Sequence, residues 1–193
     1  MSYYSDTELA ALGWKRLGRN VRVSRKASIY NPRSIEIGDD SRIDDFCLLS
    51  AGSDGIAIGR NVHLAAYSSL IGAAAIALDD FAGLSSRVSI YSSSDDYSGR
   101  SMTNPTVPVE FTDVRHAPVR LARHTIVGAG SVILPGVTLH EGCAVGALSL
   151  VRKDCDAFGI YAGNPARRIG TRLRDLLELE ARFLVSPPQH SPR

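Results

Sequence analysis

Residues 121–151 read LARHTIVGAGSVILPGVTLHEGCAVGALSLV and place a branched aliphatic side chain at every sixth position. These positions are Leu121, Val127, Ile133, Leu139, Val145 and Val151. A helix repeats its apolar residues every 3.6 residues and a half-buried strand every two, so a period of six fits neither. It fits a three-sided prism in which each hexapeptide forms one flat face and one corner. About 18 residues would then complete a coil, and stacked coils would pair as parallel strands.

The same spacing recurs earlier in the chain, in three shorter runs: Ile37, Ile43 and Leu49; Ile58, Leu64, Leu70 and Ile76; and, after a shift of two residues, Leu78, Leu84 and Ile90. Residues of modest size recur four positions after the aliphatic residue, where they would let the chain turn, as at Ser41, Cys47, Thr125, Ser131 and Cys143. An ordinary β-sandwich would produce such a pattern only by coincidence. The sequence therefore predicts an all-β fold, a parallel β-helix over residues 15–170.

The two ends of the chain have other patterns. In residues 1–14, Ser5-Asp6-Thr7-Glu8 has the spacing of a capping box and predicts a short helix. Leucines set among arginines and glutamates predict an amphipathic helix over 171–185, which would cover the open end of the solenoid. Residues 186–193 are rich in proline and are predicted to form a disordered tail.

One long segment, residues 91–118, interrupts the hexapeptide pattern. It is polar, and no six-residue spacing can be placed in it. Long loops inside a compact domain are commonly functional. The segment is therefore predicted to be an inserted loop that takes part in the chemistry.

The composition excludes several classes of protein. Twenty-two basic and twenty acidic residues leave a net charge of +2, which argues against a dedicated nucleic-acid-binding protein. No apolar run is long enough to span a membrane, and the N-terminus lacks the pattern of a signal peptide. Three cysteines without a CxxC motif indicate neither a disulfide framework nor a cysteine-rich zinc site. These features predict a soluble, cytoplasmic protein.

The ladder, the inserted loop and the ending at 161–169, YAGNPARRI, together resemble the hexapeptide-repeat acyltransferases, which fold as left-handed parallel β-helices. Within that superfamily the chain resembles the maltose and galactoside O-acetyltransferases and the sugar acetyltransferases of surface-polysaccharide pathways. The resemblance covers residues 15–172. It implies acetyl-CoA as co-substrate, a sugar or nucleotide sugar as acceptor, and a homotrimer with active sites between neighbouring prisms.

Three residues are candidates for the group that deprotonates the acceptor. In the O-acetyltransferases that the chain resembles, a histidine of the loop is the base, whereas residues 92–99 here read SSSDDYSG. A carboxylate, Asp95 or Asp96, could replace it, and so could His63, which precedes the ladder residue Leu64. A capped turn and an interface histidine are the structural alternatives. A sugar amine would need less help than a hydroxyl, so both O- and N-acetylation remain open.

The other histidines are weaker candidates. His116 lies near the end of the loop and could fold back towards the site. His124 and His140 occupy variable positions of the hexapeptides, which are predicted to face solvent. His190 is in the predicted tail.

The resemblance places the coenzyme A site on the C-terminal coils. Ala129 and Ala147 match positions whose backbone groups bind the pantetheine arm. A cluster of basic side chains is predicted to hold the phosphates of the nucleotide: Arg152, Lys153, Arg167 and Arg168. Solvated surface charges are the alternative for each of these four residues.

Two other functions are compatible with the same fold. A non-catalytic β-helix scaffold would need neither the polar loop nor the coenzyme A motifs. A zinc carbonic anhydrase would need three converging imidazoles. His116 and His124 are eight residues apart, which does not match the spacing of that class. The sequence favours the acetyltransferase, with no metal site.

Overall fold

The computed structural model describes residues 2–186. The first four coils contain β1 (Arg16–Leu17), β2 (Arg22–Val23), β3 (Ser28–Tyr30), β4 (Ile35–Ile37), β5 (Arg42–Ile43), β6 (Leu48–Ala51), β7 (Ile56–Ile58), β8 (His63–Leu64), β9 (Ser69–Gly72), β10 (Ile76–Leu78), β11 (Gly83–Leu84) and β12 (Ser89–Tyr91). The inserted loop carries β13 (Ser93–Ser94) and β14 (Arg115–His116). The last coils contain β15 (Val119–Leu121), β16 (Ile126–Val127), β17 (Val132–Ile133), β18 (Thr138–Leu139), β19 (Ala144–Val145), β20 (Leu150–Val151), β21 (Gly159–Ala162) and β22 (Arg167–Thr171).

The strands form three long sheets, one for each side of a prism. The first sheet has the order β1-β4-β7-β10-β15-β18, and the third has β3-β6-β9-β12-β17-β20. The second sheet has the order β2-β5-β8-β11-β16-β19-β21-β22. Neighbouring strands are parallel, except that β21 pairs with β22, and β13 with β14, in antiparallel fashion. This architecture is the predicted parallel β-helix with an inserted loop.

The ladder residues fill the interior of the prism. All six aliphatic positions of 121–151 are at most 4% exposed. The strand register stacks equivalent residues, so that Leu64, Leu84 and Val127 lie side by side on successive coils. Each such side chain contributes about 1.5–3 kcal/mol of hydrophobic stabilisation as an upper estimate. The six-residue period therefore identified the core correctly.

The coils are not all of the predicted length. Arg120 pairs with Thr138, eighteen residues further on, as predicted. Arg16 pairs with Glu36, and Glu36 with Ala57, which makes the first coils twenty and twenty-one residues long. The additional residues lie at the third corner, between the third and the first sheets, where the ladder skips from Leu49 to Ile58.

The other two corners are built from left-handed residues. At the second corner, between the second and third sheets, the φ angles of Phe46, Tyr67, Arg87 and Leu148 lie between 57° and 66°. The first corner, between the first and second sheets, has the same conformation, for example at Phe81, where φ is 60°. At each such corner the chain turns sharply from one flat face of the prism to the next.

Two helices flank the solenoid. Helix α1 (Asp6–Ala11) begins with the predicted capping box, in which Ser5 and Glu8 bond reciprocally. Hydrogen bonds from Ser5, together with Arg25, lower the pKa of Glu8 to about 2. Helix α2 (Asp175–Val185) lies along the first corner. The predicted tail falls outside the described residues apart from Ser186.

Helix α2 is attached through a buried carboxylate. Glu180, with a side chain 6% exposed, contacts His124 Nε2 at 2.8 Å and Arg123 Nη1 at 3.1 Å. The ring of Phe183 packs edge-on against that of Phe81. The prediction that His124 faces solvent is therefore wrong, because the terminal helix covers this side chain.

The inserted loop projects from the third corner. It begins and ends with the short β13–β14 ladder, in which Ser93 is opposite His116. Five large apolar side chains of the loop are exposed, and Tyr97 is 93% exposed: Tyr97, Met102, Val109, Phe111 and Val114. No other part of residues 2–186 covers this apolar surface.

Candidate active site

A basic cavity lies at the C-terminal end of the solenoid. Its volume is about 300 Å³, and the four predicted basic residues all line it: Arg152, Lys153, Arg167 and Arg168. Arg152 and Lys153 follow β20, while the other two begin β22, so the hairpin of the second sheet brings both pairs together.

Most of the positive charge in this basic cavity is unpaired. Arg168 approaches Asp156 at 3.5 Å. Within residues 2–186, Arg152, Lys153 and Arg167 have no carboxylate partner. Exposed, unpaired cations on one wall suit a ligand that carries several phosphate groups.

A shelf of small residues runs up the second corner beside the last coils. Ala129 and Ala147 are both exposed and lie on adjacent coils, joined by the hydrogen bond from Leu148 N–H to Ala129 C=O. In the described part of the chain, the amide N–H groups of Ala129 and Ala147 donate no hydrogen bond. The coils approach closely here, since a Cβ on Gly128 would lie 2.4 Å from Ala147 N. The shelf thus offers two free amide donors on adjacent coils.

His63 belongs to a cluster on the outer face of the second sheet. Its Nε2 lies 2.8 Å from Asp44 Oδ2 and 2.8 Å from Arg42 Nη2. The buried carboxylate of Asp44 also contacts Arg42 Nε at 3.0 Å. Asp44 can only accept a hydrogen bond and Arg42 can only donate one, so the ring of His63 is held between a carboxylate and a guanidinium.

The two loop carboxylates have different surroundings. Asp96 accepts hydrogen bonds from the amides of Ser98, Arg100 and Ser101 and from two serine hydroxyls. These bonds hold the pKa of Asp96 well below its ordinary range. Asp95 is half-buried, and within residues 2–186 its carboxylate has no hydrogen bond or ion pair.

The remaining histidines of the described chain are distributed over separate places. Nδ1 of His116 lies within hydrogen-bond distance of Ser93 Oγ, 2.8 Å away, at the base of the loop. His124 lies under helix α2, and His140 is exposed on another coil. Over residues 2–186, no three side chains of histidine, cysteine, aspartate or glutamate converge in the way that a metal ion requires. No helix in that same range has the length and apolar character needed to cross a membrane.

One residue near the shelf was not predicted from the sequence. Ser85 is the residue after strand β11 of the fourth coil. It lies between Ala65 of the preceding coil and Gly128 of the following coil. Its hydroxyl has no partner among the described residues. A single serine in a repeat rich in serine carries no sequence signal, and only the stacking of the coils shows where it lies.

A single chain does not bring all of these groups together. His63, Ser85 and the alanine shelf lie on the second sheet and second corner. Asp95 and Asp96 lie on the loop beyond the third sheet, which separates them from Ser85. A parallel β-helix with such a loop and a basic cavity beside the last coils is characteristic of the left-handed β-helix acyltransferases, and the structure places the protein in this class.

Comparisons with known proteins identify the family. The chain is 49% identical over 186 residues to dTDP-4-amino-4,6-dideoxy-D-glucose acyltransferase from Escherichia coli, covering 96% of this chain and 97% of that enzyme. It therefore belongs to the dTDP-4-amino-4,6-dideoxy-D-glucose acyltransferase family. No protein-family profile matches the chain.

Solved structures agree with this assignment. The crystal structure of an aspartate-to-asparagine mutant of AntD, an N-acyltransferase from Bacillus cereus, in complex with dTDP and coenzyme A has a TM-score of 0.92 and 45% sequence identity, covering 95% of this chain and 98% of that chain. Other AntD structures contain dTDP-4-amino-4,6-dideoxyglucose or 3-hydroxybutyryl-CoA. A maltose O-acetyltransferase from Clostridium difficile 630, with a TM-score of 0.59, 18% identity and coverage of 87% and 75%, shares the fold.

These findings confirm the main predictions from the sequence. The fold is the left-handed parallel β-helix of the hexapeptide-repeat acyltransferases, and the protein is a sugar acyltransferase. The acyltransferase interpretation thus prevails over the scaffold and the carbonic anhydrase. The coenzyme A bound in AntD agrees with the expected co-substrate.

Proposed function

We propose that the enzyme transfers an acyl group from a coenzyme A thioester, acetyl-CoA in the simplest case, to the amine of a dTDP-linked 4-amino-4,6-dideoxyhexose. The observation that carries this proposal is the near full-length similarity to an enzyme named for that sugar nucleotide and to AntD, which was crystallised with it. The absence of histidine from residues 92–99 favours N-acylation over O-acylation, because an amine needs less help from a base.

The donor would occupy the C-terminal coils. The free amides of Ala129 and Ala147 suit the carbonyl groups of the pantetheine arm, and the basic cavity suits the nucleotide phosphates. The shelf leads from the basic cavity towards Ser85. The thioester would therefore be directed at the middle coils of the second sheet.

Asp95 is the loop carboxylate that we assign to the acceptor amine. Asp96 already accepts five hydrogen bonds within the loop, whereas Asp95 is free to accept one from substrate. The AntD structures include variants of one serine and of one aspartate ten residues further along. Ser85 and Asp95 have the same spacing here, and both side chains lack partners within the described residues.

The proposed reaction needs few groups. The neutral amine attacks the thioester carbonyl, a C–N bond forms, and the tetrahedral intermediate collapses with cleavage of the C–S bond. Asp95 accepts a hydrogen bond from the amine and receives its proton, which finally neutralises the departing thiolate. The Ser85 hydroxyl can donate to the carbonyl oxygen as negative charge develops on it.

We further propose that the active form is a homotrimer whose sites lie between protomers. Ser85 and Asp95 of one chain lie on opposite sides of the third sheet, so a site containing both needs the loop of a neighbour. The exposed apolar residues of the loop, among them Val109 and Phe111, would be covered by that contact. We place the enzyme in the cytoplasm, where nucleotide sugars and coenzyme A thioesters are made.

The test is a thiol-release assay with a matched pair of acceptors. The purified protein is incubated with acetyl-CoA or 3-hydroxybutyryl-CoA and either dTDP-4-amino-4,6-dideoxyglucose or the same nucleotide sugar with a hydroxyl at C4. We expect thiol release and an acylated product, identified by mass spectrometry, with the amine alone. Equal transfer to the hydroxyl would contradict N-acylation, and release with neither acceptor would contradict the proposed function.

A further inference from the structure

Gly83 is a glycine that the fold of this chain does not require. All seventeen glycines of the sequence lie within the part of the chain that the structure describes. At Gly83 a Cβ would have no atom within 4 Å, and the residue does not have a positive φ. The other two open positions, Gly13 and Gly99, have φ angles of 76° and 81°, which themselves favour glycine.

This position also disfavours glycine on local grounds. Gly83 lies in strand β11, where a residue with a side chain is intrinsically better accommodated. Glycine within a strand commonly marks a place where a ligand or another backbone approaches closely. Since no atom of residues 2–186 would come within 4 Å of a Cβ at Gly83, the vacant volume is available to a group from outside these residues.

Gly83 lies in a row of outward-facing residues on the second sheet. His63, Gly83 and Ile126 are paired across adjacent strands, and the residue after each points into the core. His63 and Ile126 are thus two coil spacings apart, about 9.6 Å, with no side chain between them. We call this opening, bordered by His63, Gly83 and Ile126, the Gly83 gap.

The two borders of the Gly83 gap differ in polarity. On one side stands the imidazole of His63, supported by Asp44 and Arg42. On the other side is the side chain of Ile126, which is 46% exposed. Ser85 comes two residues after Gly83 in the chain. Because side chains alternate between the faces of a strand, its unpartnered hydroxyl lies on the same face of the sheet as the row.

A 4-amino-4,6-dideoxyhexose has a matching division of polarity. Its C2 and C3 hydroxyls make one edge of the ring polar, and the C6 methyl makes the opposite edge apolar. His63 can bond to a hydroxyl, Ile126 can pack against the methyl, and the C4 amine would then lie near Ser85, where the thioester is expected.

We propose that the Gly83 gap holds the hexose ring of the acceptor, and that Gly83 determines specificity because any side chain there would occupy the place of the ring. The inference rests on the proposed function for the identity of the sugar. It adds the part of the surface that receives the ring and the residue that keeps this surface open.

The test uses Gly83→Ala, Gly83→Val and Gly83→Leu, with Ala57→Val on the first sheet as the matched control. Because an added Cβ has no contact, we expect melting temperatures at or above that of the wild type. The KM for the sugar nucleotide should rise with side-chain size, by roughly 10-fold or more for valine, while the KM for acetyl-CoA stays within about twofold. The control Ala57→Val should leave both KM values unchanged.

A binding measurement makes the test independent of turnover. By calorimetry without donor, Gly83→Leu should weaken binding of the dTDP-sugar by roughly 10-fold or more and leave the Kd of dTDP nearly unchanged, because dTDP has no ring to place in the gap. An equal loss for both ligands, or none for the sugar, would overturn the inference. So would wild-type protein that binds the dTDP-sugar no better than dTDP.

Two further outcomes separate this inference from the proposed function and from a role in assembly. If sedimentation shows that Gly83→Leu dissociates the assembly at assay concentration, the gap belongs to a contact between protomers and the inference is wrong. If the wild type binds the dTDP-sugar in a Gly83-dependent way but acylates no amine, the proposed function fails while the assignment of the gap stands.

Discussion

At the scale of single residues, the adjacent carboxylates Asp95 and Asp96 have the same chemistry but different partners. Asp96 closes a local turn with Ser98, Arg100 and Ser101, and these bonds depress its pKa below the ordinary 3.8. Since the folded pKa is the lower one, this stabilisation is fully present above about pH 4 and is lost as the pH falls further. Asp96 therefore orders the loop at neutral pH, and Asp95 is left to act on substrate.

Replacing each carboxylate by its amide separates the two roles. Asp95→Asn should lower kcat by roughly 10²-fold, the usual range for a lost general base, with little change in the KM for acetyl-CoA. Hydrogen exchange of residues 96–101 should stay as in the wild type. Asp96→Asn should instead accelerate exchange of those amides, because a neutral amide accepts weaker hydrogen bonds than a carboxylate.

The opposite pattern would reassign the base. If His63→Ala lowers kcat by the same factor while Asp95→Asn does not, the imidazole of His63 takes the proton. If neither variant loses turnover, the amine attacks without protein assistance, and the loop only covers the site.

Sequence reasoning at this scale proposed His63 and Asp95 as candidates, but it identified neither Asp44 beside His63 nor Ser85. Asp44 is nineteen residues before His63, and only the twenty- to twenty-one-residue length of the early coils brings the two together. Ser85 is one serine among many. Its significance depends on the absence of a hydrogen-bond partner within the described residues, which no spacing rule reveals.

At the scale of elements, the six-residue period predicted which side chains are buried, because one inward residue per face is a property of the backbone. The period did not predict the coil length. The six-residue pattern is interrupted between Leu49 and Ile58 and again between Leu70 and Leu78, and these interruptions mark the longer third corner. An interruption alone does not show whether residues are added or an element ends. The helix predicted at 171–185 is present as α2, but it begins at Asp175 and packs along the first corner instead of covering the open end of the solenoid. The place where it docks depends on tertiary contacts with His124.

Helix α2 should be held in place mainly by Glu180. Glu180→Ala removes the buried carboxylate that bonds to both Arg123 and His124, and it should lower the free energy of unfolding by about 2 kcal/mol. Limited proteolysis should then cleave near residue 172 at lower protease concentration. Glu178→Ala, an exposed position on the same helix, is the control and should change neither measurement. Equal protease resistance of both variants would show that apolar packing at Phe183 fixes the helix.

At the scale of the whole molecule, donor binding should depend on the basic cavity as a unit. Exposed ion pairs contribute only about 0–1 kcal/mol each, so single alanine changes should weaken acetyl-CoA binding several-fold. The variant with all four basic residues replaced should lose more: Arg152, Lys153, Arg167 and Arg168. Acetylated pantetheine, which lacks the nucleotide phosphates, should bind this variant and the wild type alike.

Salt provides an independent check on the same cavity. Added salt should weaken binding of acetyl-CoA to the wild type and hardly affect the truncated donor, because only the first interaction is between net charges. If the fourfold variant binds both donors as the wild type does, the phosphates rest on backbone amides or on another protomer.

The assembly is the property that the sequence of one chain shows least, since an interface between copies leaves no mark in the hexapeptide period. Two features of a single protomer are incomplete and point to an assembly. The loop exposes Tyr97 and Phe111, and the third sheet separates Asp95 from Ser85. A site made from the loop of one chain and the second sheet of the next would cover the loop and bring Asp95 to Ser85. Mixed oligomers of two different variants can test such a shared site.

Two variants that are each impaired at a low concentration of the sugar nucleotide should therefore restore activity when they assemble together. Asp95→Asn damages only the loop, and Gly83→Leu, or Ser85→Tyr as a second blocking change, damages only the sheet. In every trimer that contains both chains, about one site in three would combine an intact loop with an intact sheet, so about a third of wild-type activity should return. The chains are co-expressed with two different tags, purified on both, and assayed against each homotrimer. Sites built within one chain would stay inactive in every mixture, and a stable, active monomer in sedimentation would equally exclude the shared site.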